Sequence, residues 1–99
     1  MCQRAHGAAF VTWVGVDAGQ LEVLADDTLR WYASSAQARR GFCSRCGSSL
    51  FFESGRWPGE IHVVRASVRG SIDREPQAHV FTASAVTWYH GSDALPRRS

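Results

Sequence analysis

Apolar and polar residues alternate along this chain in short runs, and no stretch repeats its apolar positions at helical spacing over three turns. Ala8–Val16 (AAFVTWVGV) is rich in β-branched and aromatic residues and predicts a first strand. A turn at Asp17-Ala18-Gly19 leads to a short strand over Gln20–Leu24, and the polar pair Asp26-Asp27 marks the next turn. Leu29–Ala33, Arg39–Phe42, Ser48–Glu53 and Glu60–Ala66 continue the series, with loops at Ser34–Ala38 and at the Gly/Pro-containing Ser54–Gly59. Ser67–Gln77 reads as loop. Ala78–Thr82 and Ala85–Tyr89 close the strand series, and the segment from Ser92 to Ser99 is expected to be an arm. Fewer than two helices are expected. Many short strands between turn signals imply an all-β fold, a sandwich or an open barrel, in one domain spanning residues 1–99.

Size and charge narrow the possible functions. A chain of 99 residues buries only about two-thirds of its unfolded surface, so a staple such as a metal or a partner subunit is useful. No run approaches the roughly 20 apolar residues of a membrane span. The start, Met1–His6, has no apolar stretch of signal-peptide type, so a cytoplasmic location is expected. The net charge is +2, from 11 basic and 9 acidic residues. Such a balance argues against nucleic acid or an anionic membrane as partner. A homodimer stays open.

The candidate chemistry lies in sulfur. Three cysteines, Cys2, Cys43 and Cys46, do not suit a closed disulfide framework. Two of them stand in Phe42-Cys43-Ser44-Arg45-Cys46-Gly47. Cysteines three apart in a tight turn can place both thiolates on one zinc ion, and Gly47 suits a sharp backbone reversal. A redox pair of thioredoxin type calls for a helix N-terminus within a βαβ unit, whereas strands flank this pair. A structural zinc needs four donors, so Cys43 and Cys46 supply half. Cys2, His6, His62, His79 and His90 are the other soft candidates, and His62 and His79 read first as ordinary strand histidines.

Three segments together resemble the glutathione-dependent formaldehyde-activating enzyme family, also called centromere-protein-V-like. They are Cys2–Phe10 with Trp13, Arg40–Leu50, and Pro76–Phe81 followed by Trp88, Asp93, Leu95 and Pro96. The resemblance implies an Mss4-like open sandwich of short antiparallel strands folded around zinc. It implies a carbon–sulfur lyase-type activity that joins formaldehyde and glutathione into S-(hydroxymethyl)glutathione, or a related reaction of a small-thiol adduct. Family members carry a Cys-x-Cys pair, then Cys-x-Cys-x-x-Cys, then Cys-x-x-Cys. The outer pairs hold a structural zinc, and the middle group holds a second zinc near which glutathione binds.

Cys43 and Cys46 match the last pair, and Cys2 matches only the final cysteine of the middle group. The remaining motif cysteines would precede residue 1, so Met1 reads as an internal start and the natural protein is expected to be longer. The resemblance therefore makes Cys43, Cys46 and Cys2 the metal candidates and Cys2 the candidate catalytic thiol. The structural zinc is left incomplete and the second zinc is in doubt. Glutathione carries two carboxylates, which arginine clamps through paired hydrogen bonds. Arg4 and Arg40, close in sequence to the matched cysteines, are the candidate anchors. Trp57, in a Gly/Pro loop, is the tryptophan most suited to line a pocket. The competing reading is a non-catalytic zinc-knuckle binding module.

Overall fold

The computed structural model describes residues 2–99, so the reading of Met1 as an internal start lies outside the described residues. Five strands form one antiparallel sheet: β1 (Trp13–Asp17), β2 (Leu29–Ala33), β3 (Ala38–Cys43), β4 (Ser49–Ser54) and β5 (Glu60–Val64). The spatial order is β1-β5-β4-β3-β2. Strands β2 to β5 are successive neighbours, and β1 returns to pair with β5 at the far edge. The all-β class expected from the alternation is what the chain adopts. Among the described residues no helix is long and apolar enough to cross a membrane.

The chain divides into two compact units, residues 12–69 and residues 2–11 with 70–99. The first contains the sheet. Its register places Tyr32, Arg40, Phe52, His62 and Gly15 in one row across all five strands. Because successive side chains of a strand point to opposite faces, this row shares a face, and Trp31, Gly41, Phe51, Val63 and Val14 line up on the other. On the first face Phe52 is the hub. Its ring lies 5.6 Å from that of Trp13, 6.1 Å from that of His62 and 6.4 Å from that of Trp57, and the Arg40 guanidinium sits 4.9 Å from its centre. On the second face Trp31 stacks on Phe51 at 6.1 Å. A Cβ at Gly41 would come within 3.2 Å of both rings, so a glycine lets them meet. Among the described residues only Arg40, Gly41, Ile61 and Val64 are buried, a thin core of the kind a short chain can build.

The second unit begins with a five-residue helix, α1 (Cys2–His6), too short to register as a periodic pattern. It ends at Gly7 in the left-handed region, and the Ala8 amide donates to the Gln3 carbonyl at 3.1 Å. The expected strand Ala8–Val16 is thereby shortened to β1, because residues 8–11 belong to this unit. The strand expected over Gln20–Leu24 does not form. Residues 18–20 make a 3₁₀ turn in which the Gln20 side chain accepts the Asp17 amide at 3.2 Å, a local bond that competes with extension. Likewise Ala78–Thr82 yields only an isolated parallel bridge between His79 and Arg97, and Ala85–Tyr89 yields no strand. Phe81 takes a left-handed φ of 55° and starts a 3₁₀ turn at Thr82–Ser84, which ends any extended run.

Residues 93–98 are tied back to this unit. His79 and Arg98 exchange backbone bonds with their neighbours: His79 N–H donates to Pro96 O, and Arg98 N–H donates to His79 O, at 2.8 and 2.7 Å. The His79 imidazole meets both carboxylate oxygens of Asp93 at 3.0 Å. That bond, with the Leu95 amide behind it, holds the Asp93 carboxyl below the usual carboxylate range.

Candidate functional site

Strands β3 and β4 form a hairpin whose tip carries the cysteine pair. Cys43 is the last residue of β3, Ser44–Cys46 make the turn, and β4 begins at Ser49. The turn closes because the Gly47 amide donates to the Cys43 carbonyl at 2.7 Å and the Cys43 amide donates to the Ser48 carbonyl at 2.9 Å. Gly47 has a φ of +80°, a conformation that costs a residue with a Cβ about 1 kcal/mol. The chain before β2 braces the tip: the Ser44 amide and hydroxyl both donate to the Thr28 carbonyl, at 2.7 and 2.8 Å.

Hydrogen-bonding groups converge on the Cys43 sulfur. The Cys43 thiol donates to the Thr28 hydroxyl oxygen at 3.6 Å, and its ionised form is favoured by hydrogen bonding with the Thr28 hydroxyl, the Cys46 and Arg45 amides and the Cys46 side chain. Together they pull the Cys43 thiol down to about 7, with Thr28 the largest cause. A thiol at that value supplies thiolate at neutral pH. Cys46 is exposed, and its sulfur lies 3.2 Å from the Ser48 hydroxyl. Both cysteines are thiols, not a disulfide. The pair thus sits on a hairpin tip between strands, as the spacing and flanking pattern suggested.

A zinc ion at this tip would need four donors. Within this unit, among the described residues, no third His, Cys, Asp or Glu joins the pair. The residues fit half of a tetrahedral site and not the whole, and no chemical step is routed through a metal here. Cys2 and Arg4 stand on α1 in the other unit.

Arg40 and Trp57 flank the Phe52 hub on the aromatic face. Trp57 also lines an open groove of about 390 Å³ with Ser35, Gln37, Arg39, Glu53 and Glu60. Arg39, not Arg40, is the groove's arginine. Strand alternation sends these neighbours to opposite faces, and Arg39 pairs with Glu53 at 2.8 Å while resting on Trp31 at 4.0 Å. The sequence reading names Arg40 as a carboxylate anchor and does not name Arg39, although the period-2 rule separates the two faces. The groove and the cysteine tip lie at opposite ends of the β3–β4 hairpin, so Trp57 is not brought to Cys43.

His62 was also passed over as an ordinary strand residue. Its ring is 5.1 Å from that of Trp57, and its Nε2 is 3.5 Å from Glu60 Oε1, long for a hydrogen bond. Gly15 makes room for it, since a Cβ there would lie 3.1 Å from His62 Cε1. Burial lowers its pKa below 6.5 and outweighs the opposing pull of Glu60. The folded chain therefore resists a proton that the unfolded chain accepts. His62 contributes stability in full above about pH 6.5, and that contribution is lost as pH falls toward the folded value. The expected result is a urea midpoint that drops between about pH 7.5 and pH 5.5, with a shallower drop in His62→Gln. Equal slopes for the two proteins would remove His62 from the pH response.

A family model described as "Glutathione-dependent formaldehyde-activating enzyme" matches residues 1–84. That range takes in Cys2, Arg4, Arg40, Cys43, Cys46 and Trp57. No curated protein and no solved structure matches the chain.

Proposed function

The chain belongs to the glutathione-dependent formaldehyde-activating enzyme family, and from that premise we propose that it joins formaldehyde to glutathione or a related small thiol. The reaction forms one carbon–sulfur bond. A thiolate attacks the formaldehyde carbon, the carbonyl π bond breaks, and the oxygen takes a proton to give an S-hydroxymethyl thiol. Read in reverse it is a carbon–sulfur lyase. The observation that carries the reading is the acidified Cys43 thiol on a braced hairpin tip that also carries Cys46, in a chain of this family.

In this proposal Cys43 and Cys46 are the sulfur centre and, when zinc binds, two of its four donors. Cys2 is the proposed catalytic thiol. Arg4 and Arg40 are the proposed anchors for the substrate carboxylates, a task that suits the planar guanidinium fork. Arg40 precedes Cys43 by three residues on β3, about 10 Å along the strand, and alternation turns its side chain to the opposite face, so an anchoring role would have the substrate reach around the strand. A cytoplasmic setting belongs to the same reading, because reduced thiols persist there.

One observation favours the second reading, a binding module. The Trp57 groove carries both signs of charge and an aromatic wall, which suits a small zwitterionic molecule, and it stands apart from the sulfur centre. Two measurements on the whole chain separate the readings. Carbon-13 NMR of labelled formaldehyde with glutathione is expected to show the hydroxymethyl thioether forming faster with protein than without, and Cys46→Ser is expected to lose that gain. Calorimetry with glutathione on Trp57→Ala is expected to leave binding within about twofold, since loss of an aromatic contact that touched the ligand would cost about tenfold or more. No acceleration together with a tenfold loss in Trp57→Ala would favour the binding module.

A further inference from the structure

We propose that the groove at the far end of the β3–β4 hairpin binds a free basic α-amino acid, a molecule with an α-carboxylate, an α-ammonium and a distal cation. The inference names a ligand for the Trp57 groove described above. It does not rest on the sulfur reaction, so each can fail without the other.

Two loops of one compact unit make the groove. Residues 34–37 join β2 to β3, and residues 55–59 join β4 to β5. The Gly55 amide donates to the Gln37 carbonyl at 2.9 Å and ties the loops together. Within them the Ser34 amide donates to the Ala38 carbonyl at 3.1 Å, the Trp57 amide to the Ser54 carbonyl at 3.1 Å, and the Glu60 amide to the Trp57 carbonyl at 3.2 Å. The walls are therefore held by backbone bonds before a ligand arrives, which lowers the ordering cost of binding. The space, about 390 Å³, lies at the small end of ligand sites.

The charges around it decide the ligand class. Arg39 and Glu53 are register partners on adjacent strands, and their Nε–Oε2 contact is 2.8 Å. A positive and a negative group side by side match an α-carboxylate and an α-ammonium, which share one carbon. The contact leaves both Nη groups of Arg39 and the Oε1 of Glu53 without a partner among the described residues. Glu60 opens β5 on the other face of the sheet, the face of His62, so it meets the far end of an extended ligand. Its carboxylate calls for a cation there. Trp57 supplies an apolar wall for the methylenes between, and Ser35 and Gln37 add neutral hydrogen-bonding groups. Arg56, 5.3 Å from the Trp57 ring, stands outside the lining.

The lining thus carries one positive and two negative charges, and a basic amino acid carries the complement. Glutathione, with one ammonium and two carboxylates, has the reverse balance and would set a carboxylate against an acidic side chain. Such a like-charge contact is how a site rejects the wrong molecule. The groove and the cysteine tip therefore select different ligands.

The test is calorimetry of the whole chain at low salt with free lysine, norleucine and cadaverine. Lysine is expected to bind. Norleucine, which lacks the distal ammonium, and cadaverine, which lacks the carboxylate, are each expected to bind about tenfold more weakly or worse. Glu60→Gln is expected to abolish the preference for lysine over norleucine, and Arg39→Gln the preference for lysine over cadaverine. Both side chains are part-exposed, so each variant is expected to fold, which circular dichroism checks, and either one alone tests the site. In nitrogen-15 NMR, lysine is expected to shift the Gln37 and Gly55 amides and the Trp57 indole and to leave the amides of 43–47 in place. No binding of lysine at about 10 mM, equal binding of norleucine, or shifts confined to 43–47 would each overturn the inference. So would competition between lysine and glutathione for the groove. Any of these with the formaldehyde–glutathione reaction intact leaves that reaction standing. Lysine binding in a chain without the reaction supports the groove and overturns the reaction.

Discussion

Phe52→Ala is expected to lower the unfolding free energy by about 3 kcal/mol, the low end of what truncating a core phenylalanine costs. Phe52 is half-buried, but it packs against Trp13, Trp57, His62 and Arg40 at once. Removing its ring leaves three aromatic neighbours facing a void and takes away the π face beneath the Arg40 guanidinium. A small domain has about 5–15 kcal/mol in total, so the loss is a large fraction of it. Urea unfolding followed by tryptophan fluorescence and near-ultraviolet circular dichroism measures it. Phe51→Ala, which loses one stacking partner on the opposite face, is expected to cost less. A loss below about 1 kcal/mol for Phe52→Ala would mean that the aromatic row does not hold the sheet together.

The strands that pair with sequence neighbours were the legible part of this fold. Leu29–Ala33, Ser48–Glu53 and Glu60–Ala66 are found within a residue or two because alternation and turn residues act locally there. Gln20–Leu24 and Ala85–Tyr89 have equal local propensity but no partner edge, and propensity without a ladder makes no strand. Phe81 shows the limit most directly, since no residue type signals that an aromatic will sit in the left-handed region.

The candidate site divides in the same way. The tip at Cys43–Cys46 was readable because its chemistry is contained in six consecutive residues. Thr28 was not, because it reaches Cys43 across the sheet from 15 residues away. Arg39 and His62 acquire their settings from Glu53, Trp31, Trp57 and Gly15, all brought close by strand register and loop closure. Long-range partners of this kind leave no trace in local spacing.

Thr28 is also the lever for the second large effect. At pH 7 a thiol with a pKa of about 7 is about half thiolate, whereas one at the ordinary 9.0 is about 1 % thiolate, a difference of about fifty-fold in the reactive form. Thr28→Val keeps the side-chain shape and the backbone carbonyl that braces Ser44, and removes only the hydroxyl hydrogen bond that is the largest cause of the shift. The Cys43 pKa is therefore expected to rise toward 9.0. Iodoacetamide labelling of the Gly41–Arg45 peptide at pH 7 should slow about threefold to tenfold, the fall in thiolate being partly offset because a more basic thiolate is the better nucleophile. Near pH 10, where both forms are ionised, the two proteins should label at similar rates. Cys43→Ser should remove labelling of that peptide altogether, and with it the proposed glutathione-dependent reaction. An unchanged pH–rate profile in Thr28→Val would show that the acidity of Cys43 comes from the Cys46 and Arg45 amides alone, and that the sheet has no part in activating the tip.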